Sequence, residues 1–281
     1  MITIGLTTWR EHPALVGGTK AQTTLSDYAA VLPVVEVDTP FYGIRDSQMV
    51  IKWQREVPNN FQFVIKANQL MTKHDLGHDE KDDAARQAAF VAYRQMIEPL
   101  VSAHQLKAIL FQFPPFFRRT TENIDWLLQI RQQLPKLPIA VEFRHPSWYA
   151  DTVIESVMAY LKGLKMTHVI VDEPHRLNDG LPFVPQVTTP QLAIVRLHGR
   201  NETGWFNQGP DWRKKRTLYR YNEAELQELA TQVRTLADNA KEVCVIFNNN
   251  SGGDAAPNAL ALRDLLGVTW DGLGPQQLNL F

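Results

Sequence analysis

Pairs of ionisable residues, two positions apart, close three apolar segments of this sequence. The pairs are Glu36 with Asp38, Glu142 with Arg144, and Arg196 with His198. Residues two apart on a β-strand point to the same side, so both members of each pair would face one space. Buried charges are costly unless they are paired or used. The pattern therefore predicts either structural Glu–Arg pairs or a functional site.

Anion binding is the first chemistry that these segments suggest. Arg144, Arg196 and Arg200, together with Lys66, could hold anionic oxygens, since arginine grips phosphate in a bidentate manner. Gly199 and the turn Ser251-Gly252-Gly253 could bring backbone N–H groups close to the same anion. The alternative is that these glycines only mark turns.

Acid–base catalysis is the second chemistry. Glu142 or Glu36 would serve as the base and His198 as the acid, because histidine titrates near neutrality. The predicted catalytic residues are Glu36, Asp38, Lys66, Glu142 and His198. The predicted substrate-binding residues are Tyr42, Gln112, Arg144, His145, Trp148, Asp172, Arg196, Arg200, Asn248 and Asn249, with the two asparagines orienting the substrate. For any single histidine, the alternative is a structural role.

A divalent metal is the third chemistry, because carboxylates and histidines from several segments are suitable ligands. The cationic neighbours of these groups oppose a metal, so the sequence predicts no metal and no cofactor. His74 and His78 have a helix-compatible spacing for metal binding, but they lie in a charged stretch.

Eight short runs of apolar, often β-branched residues are candidate strands. They are Ile2–Thr7, Val34–Asp38, Phe61–Lys66, Ala108–Phe113, Ile139–Phe143, Thr167–Val171, Ala193–Leu197 and Val243–Phe247. Helical periodicity separates them at Leu25–Leu32, Ser47–Glu56, Ala84–Ala103, Thr121–Leu134, Thr152–Lys162, Glu223–Ala240 and Ala256–Leu266. Thr121, Asp151 and Asn222 are the expected N-caps. Nearly continuous apolar strands are typical of parallel sheets that are covered on both faces.

Alternation of eight strands with helices predicts an α/β fold, a single (β/α)8 TIM-type barrel over residues 1–272. The stretch from Glu173 to Gln191 contains four prolines and predicts an irregular segment between strands six and seven. In such a barrel the strand C-terminal ends meet on one face, where the active site lies. The paired ionisable residues are expected there.

The bulk composition narrows the class of protein. The 281 residues are 44% hydrophobic and carry a formal net charge of −1, so no global basic field attracts nucleic acid or a membrane. Cys244 is alone, lies in an apolar run and is expected to be a buried hydrophobe. No apolar run is long enough for a membrane span and no signal-peptide pattern is present, which predicts a cytoplasmic protein.

Several strand-end motifs resemble those of the domain-of-unknown-function 72 (YecE-like) family. They are Gly5-Leu6-Thr7-Thr8-Trp9, Val35–Tyr42, Phe61-x-Phe63-x-x-Lys66, Gln112-Phe113-Pro114-Pro115, Glu142-Phe143-Arg144-His145-Pro146-Ser147-Trp148, Arg196-x-His198-Gly199 and Phe247-Asn248-Asn249. The motifs occur in order over nearly the whole chain, and the resemblance implies a barrel. Thr7-Thr8 departs from the small residue and serine expected in the first motif. The resemblance implies no reaction.

The C-terminal tail, residues 273–281, carries a separate motif. Gln277, Leu278, Leu280 and Phe281 resemble the peptide by which bacterial polymerases and repair proteins dock onto the DNA sliding clamp. Apolar anchors and a glutamine amide suit a preformed pocket on a partner. The alternative is that Leu278, Leu280 and Phe281 pack back onto the barrel.

Three functions remain open at this stage. The first is a hydrolase or lyase acting on a phosphate-containing substrate, such as a nucleotide or a nucleic acid. The second is an enzyme of small neutral metabolites, a sugar isomerase or an aldolase-like barrel in which Lys66 forms a Schiff base. The third is a non-catalytic adaptor that the tail carries to the sliding clamp.

Overall fold

A computed structural model of the protein describes residues 1–18, 21–74, 80–176, 179–206, 209 and 211–275. Eight parallel strands form its centre. They are β1 (Ile2–Thr7), β2 (Val34–Val37), β3 (Gln62–Lys66), β4 (Leu106–Gln112), β5 (Ile139–Glu142), β6 (Met166–Asp172), β7 (Leu192–Leu197) and β8 (Glu242–Phe247). Each of the eight predicted strands is confirmed, with ends that differ by at most two residues.

The strands close into a barrel in chain order, and β1 pairs with β8. Ile2 lies beside Val243 and Leu6 beside Phe247, so the closing pair is in register over five residues. Almost every strand residue is buried, because side chains fill the interior and helices cover the exterior. The predicted (β/α)8 fold is confirmed.

Helices connect the strands and cover the barrel. They are α1 (Leu25–Ala29), α2 (Thr39–Tyr42), α3 (Ser47–Arg55), α4 (Glu80–Ser102), α5 (Thr121–Gln133), α6 (Ile154–Gly163), α7 (Glu202–Phe206), α8 (Trp212–Arg216), α9 (Glu223–Ala237) and α10 (Ala255–Leu266). Short α7 and α8 follow β7 and were not predicted. They matter because they place Trp205 over the C-terminal end of the barrel.

Two of the three predicted helix caps are wrong. The N-cap of α5 is Thr120, whose hydroxyl accepts from the Asn123 amide, rather than Thr121. α6 begins after Val153 and no side chain caps it, so Asp151 is not its cap. Asn222 caps α9 in a reciprocal pair with Glu225, as predicted. Adjacent capping-type residues cannot be ranked from sequence, because the cap is fixed by where the chain leaves the preceding loop.

The connection from β6 to β7 contains no helix in its described residues, 173–176 and 179–191. A two-stranded ribbon pairs His175–Arg176 with Asp179–Gly180. The predicted irregular segment is confirmed, and it brings Glu173 to the same end of the barrel as the strand-end residues.

The chain returns to the barrel's N-terminal end after α10. Trp270 Nε1 donates to Ile2 O at 2.9 Å, and the Gly274 amide donates to Ala29 O at 2.9 Å. The clamp-like motif at Gln277, Leu278, Leu280 and Phe281 lies outside the described residues. Its role stays a prediction.

Cys244 is fully buried in β8, as expected, and burial raises the pKa of its thiol to about 12. Within the described residues, no helix combines the length and the apolar character that crossing a membrane requires.

Candidate active site

A charged cluster fills the C-terminal end of the barrel interior, with Arg196 of β7 at its centre. The guanidinium binds Glu36 of β2 through two hydrogen bonds, Nη2 to Oε1 at 2.6 Å and Nε to Oε2 at 2.8 Å. Its Nη1 also donates to Glu142 of β5. All three side chains are essentially unexposed. One cation therefore links three strands that are not neighbours in the barrel.

His198 extends this cluster toward β8. Its Nε2 lies 3.2 Å from Glu142 Oε1, and Asn248 donates to its Nδ1 at 2.9 Å. Because Nδ1 accepts, the ring proton is on Nε2, where it faces the carboxylate. Burial lowers the pKa of His198 to about 3 even though Glu142 opposes the shift. His198 is therefore a neutral imidazole that donates to Glu142.

Glu142 is the most heavily hydrogen-bonded carboxylate of the site. Besides those from Arg196 and His198, it accepts hydrogen bonds from Gln112 Nε2 at 2.6 Å and from Arg144 Nη1 at 3.3 Å. Burial favours its protonated form, but Arg196 and His198 outweigh burial and hold the pKa of Glu142 well below its usual range. Glu142 is thus ionised, and every group around it stabilises that state.

We expect His198 to stay neutral as the Nε2–H tautomer from pH 7 down to about pH 5. Burial disfavours the imidazolium, and Arg196 and Arg144 repel it. Long-range ¹H–¹⁵N NMR spectra of the histidine rings, recorded between pH 4 and 8, would measure this. Replacement of His198 by glutamine would assign its signals. An imidazolium pattern for His198 at pH 6 would contradict the expectation.

Glu173, which follows β6, is a further carboxylate of the site, in addition to Glu36 and Glu142. Its Oε2 lies 3.4 Å from Arg144 Nη2 and makes no well-aligned hydrogen bond with any described residue. Burial raises the pKa of Glu173 to about 7, and the Arg144 charge opposes the shift only in part. Arg144 therefore separates an ionised carboxylate, Glu142, from one that titrates near neutrality.

An aromatic residue of α7 covers Arg144. The centroid of the Trp205 ring lies 5.0 Å from the guanidinium carbon of Arg144 and 3.9 Å from that of Arg216. The ring centroid of His198 is 6.1 Å away. Such cation–π contacts hold guanidinium groups in place and exclude water from around them.

Lys66 lies at the C-terminal end of β3, which β4 separates from β5 in the barrel. Its Nζ lies 3.6 Å from Asp38 Oδ2 and 4.8 Å from the centre of the Phe41 ring. The Phe41 ring also packs edge-to-face on His74, at 4.8 Å between centroids. Burial, with repulsion from Lys66 and then Arg144, lowers the pKa of His74 to about 4. His74 thus lies in the positive potential of both cations.

A separate network surrounds Asp172 at the end of β6. Arg200 binds Asp172 with three contacts between 2.8 and 3.0 Å, and Tyr221 donates to the same carboxylate at 2.6 Å. Arg200 also reaches Glu228 at 3.2 Å. Its donors are engaged by acids of the protein, so Arg200 does not join the central cluster.

The predicted glycine turns are held by the protein itself. Gly199 has φ +90°, and a Cβ there would lie 2.5 Å from the Tyr219 side chain, which explains the glycine. Its amide donates to Tyr221 Oη at 2.9 Å. In the second turn, the Ser251 amide donates to Thr217 O at 3.3 Å. These donors are occupied in the protein's own contacts.

Besides Asp172 and Arg200, four predicted substrate-binding residues lie away from the central cluster. Trp148 is 1% exposed and stacks on Phe143 behind β5. Asn249 is buried and donates to Tyr219 O and Asn258. His145 accepts from the Ser147 amide in a short turn, and Tyr42 is an exposed ring.

The predicted site residues do not include three groups, Glu173, Trp205 and Arg216, and His74 was considered only as a metal ligand. All four lie in loops or short helices rather than on strands. Glu173 directly follows Asp172, so its position after β6 was an available signal. Trp205 and Arg216 belong to a stretch rich in aromatic and basic residues, but the place of that stretch could not be predicted, because loop paths are not set by periodicity.

The described residues offer no set of ligands for the divalent metal considered from the sequence. Nowhere among them do three or more histidine, cysteine or acidic side chains form a group that could hold a metal ion. His78, the second half of the predicted pair with His74, lies outside the described residues.

Comparison with known proteins agrees with the resemblance seen in the strand-end motifs. The family described as "Protein of unknown function DUF72" matches residues 3–279. UPF0759 protein YunF of Bacillus subtilis is 38% identical over 284 residues, which cover 100% of both chains. UPF0759 protein YecE of Escherichia coli is 23% identical over 269 residues, covering 86% of this chain and 93% of that protein.

A solved structure extends the likeness to three dimensions. The crystal structure of a DUF72 family protein from Enterococcus faecalis has a TM-score of 0.91 and 41% sequence identity, and covers 99% of this chain and 100% of its own. With a family match over nearly its whole length and a relative of equal length at 38% identity, this chain belongs to the DUF72 family.

Proposed function

We propose that this protein is an enzyme that uses general acid–base catalysis on a small phosphate-bearing substrate at the C-terminal end of its barrel. The observation that carries the proposal is the pair Glu142 and Glu173 on either side of Arg144. Two carboxylates whose pKa values are moved in opposite directions are suited to different roles in proton transfer. Glu142 is held ionised, whereas burial brings the pKa of Glu173 to about 7.

Glu173 is the group assigned to proton transfer. A catalytic acid or base works best when its pKa lies near the working pH. Glu173 meets this condition and has an oxygen without an aligned hydrogen-bond partner among the described residues. Glu142 and Glu36 instead have the role of fixing Arg196 and His198, which differs from the assignment based on sequence.

Lys66 and Arg144 are the groups assigned to the phosphate. Their side chains are 12% and 9% exposed, whereas Arg196 is 1% exposed and saturated by carboxylates. Both repel a proton from His74, so the imidazole lies in the field of the same two cations. An anion bound by Lys66 and Arg144 would meet two cations and a neutral imidazole, with Asp38, Glu142 and Glu173 as the carboxylates already paired with those cations.

We expect inorganic phosphate to bind between Lys66 and Arg144 and to raise the pKa of His74 above its value of about 4. The anion would offset the two cations that oppose protonation. Lys66→Met and Arg144→Gln should each weaken phosphate binding by roughly ten- to hundredfold, as expected for one charge-assisted hydrogen bond. Isothermal titration calorimetry would measure binding, and histidine NMR the pKa.

Lys136→Met is the matched control, because Lys136 is exposed and lines a cleft at the other end of the barrel. It should leave phosphate binding unchanged. If the Lys66 and Arg144 variants bound inorganic phosphate with the same affinity as the unaltered protein, the proposed anion site would be overturned. The Schiff-base function of Lys66 stays a separate prediction, which borohydride trapping with carbonyl compounds would test.

A further inference from the structure

A second cleft opens beside the proposed anion site, between the β1–α1 loop and α3. Its volume is about 780 Å³, within the range of small-molecule sites. Thr8, Trp9, Asp38 and Trp53 are among the residues that line it. Asp38 connects the cleft to the anion site, because its Oδ2 lies 3.6 Å from Lys66 Nζ.

Two polar atoms at this cleft lack partners within the described residues. Thr8 Oγ1 and Asp38 Oδ1 are both buried and accept or donate no hydrogen bond there. Leaving such groups unsatisfied costs free energy, and native proteins seldom do so without a reason. A carboxylate oxygen needs a donor, and a hydroxyl can either give or accept. A ligand with several hydroxyl groups would supply both.

Thr8 is also held in a strained conformation. Its φ is +61°, a left-handed value that β-branched residues rarely adopt, and its amide is fixed by Glu36 O at 2.8 Å. Backbone strain of this kind is concentrated at functional sites. Thr8 lines the cleft, so the strained residue forms part of its wall.

Trp9 provides the apolar part of the cleft. Its ring is only partly buried and is held edge-to-face against Trp53, with 5.8 Å between centroids. An indole held in this way offers a flat surface to the C–H face of a sugar ring, while neighbouring polar groups meet the hydroxyls.

We infer that the Thr8–Trp9–Asp38 cleft binds the sugar part of a sugar phosphate whose phosphate lies on Lys66 and Arg144. This inference rests on the proposed function, which it narrows from phosphate-bearing substrates to phosphorylated sugars. The cleft supplies hydroxyl recognition and ring packing, and the neighbouring cations supply charge.

The test is calorimetric titration of the full chain with inorganic phosphate, glucose 6-phosphate and ribose 5-phosphate. At least one sugar phosphate should bind about tenfold or more tightly than phosphate. Thr8→Val, Thr8→Gly and Trp9→Leu should each remove most of this advantage, because one hydrogen bond or ring contact is worth roughly tenfold in affinity. All three should leave inorganic phosphate binding unchanged.

Thr8→Val removes the hydroxyl but keeps the β-branched shape and the backbone strain, whereas Thr8→Gly removes both the hydroxyl and the strain. A loss shared by the two variants therefore comes from the hydroxyl and not from a change in strain. Thr231→Val, on the exposed face of α9, is the matched control. Phosphate binding without tighter sugar phosphate binding would overturn the sugar cleft and spare the anion site. Binding of neither would overturn both proposals, and unchanged affinity in the Thr8 and Trp9 variants would overturn the cleft.

Discussion

Replacing Arg196 by methionine should lower the free energy of unfolding by about 3–5 kcal/mol, the loss expected when one partner of a buried ion pair is removed. The change leaves Glu36 and Glu142 without the cation that binds them both. Domains are stable by only about 5–15 kcal/mol, so the loss would consume much of the total. Urea unfolding followed by circular dichroism would measure it.

Two further variants separate lost charge from lost packing. Arg196→Met combined with Glu36→Gln and Glu142→Gln should regain part of the stability, because neutral amides need no buried cation. The stability of Arg196→Lys should lie between that of the unaltered protein and that of Arg196→Met, since an ammonium keeps the charge but cannot make the paired contacts of a guanidinium. If Arg196→Met alone does not fold, these two variants still give the comparison.

Arg220→Met is the matched control, since Arg220 is 70% exposed in its ion pair with Asp254. It should change stability by no more than about 0.5 kcal/mol. An unfolding midpoint of Arg196→Met equal to that of Arg220→Met would show that the central cluster does not hold the barrel together.

The fold was predictable because parallel strands covered on both sides read as continuous apolar runs. Val34–Val37 and Glu242–Phe247, for example, are apolar runs whose only charges are Glu36 and Glu242. The order of strands followed from alternation with helices. Strand ends and helix caps were less certain, because they depend on how each loop leaves the barrel, as Thr120 and Val153 illustrate.

The site was predictable only as far as it lies on strands. Glu36, Glu142, Arg196 and His198 were expected to face one space, and the structure brings them together. Which acid binds Arg196 could not be foretold, because β2 and β5 reach β7 across the barrel interior rather than along the sheet. Periodicity describes one strand at a time and contains no information on contacts across a closed barrel.

That limit also explains why the roles differ from those expected. The sequence suggested that Arg196 binds an anion, yet both hydrogen-bonding edges of its guanidinium are occupied by carboxylates of the protein. The groups left for a ligand are those at the opening, Lys66 and Arg144 on strand ends and His74, Glu173 and Trp205 on loops. The buried cluster holds Arg144 through Glu142, and the loops supply His74, Glu173 and Trp205 around it.

Glu173→Gln should stabilise the protein at alkaline pH and, under the proposed function, abolish most of the catalysis. Burial raises the pKa of Glu173 from its ordinary 4.5 to about 7, so the folded state binds the proton more tightly than the unfolded chain. Stability is therefore lost as pH rises from about 4.5 to about 7, and the loss above that range is about 3 kcal/mol. Glutamine has no carboxyl proton to lose and escapes this cost.

The expected result is a Glu173→Gln variant about as stable as the protein at pH 4 and up to about 3 kcal/mol more stable at pH 8, measured by urea unfolding at both pH values. Turnover of any substrate found should fall by about 10²–10⁴-fold, the usual contribution of a general acid or base. Glu202→Gln is the control, because its carboxylate is 66% exposed and has little desolvation to relieve. A stability difference that does not change with pH would show that folding does not shift the pKa of Glu173. In that case its unpaired oxygen serves Arg144 alone, and the proton-transfer role must pass to another group at the opening.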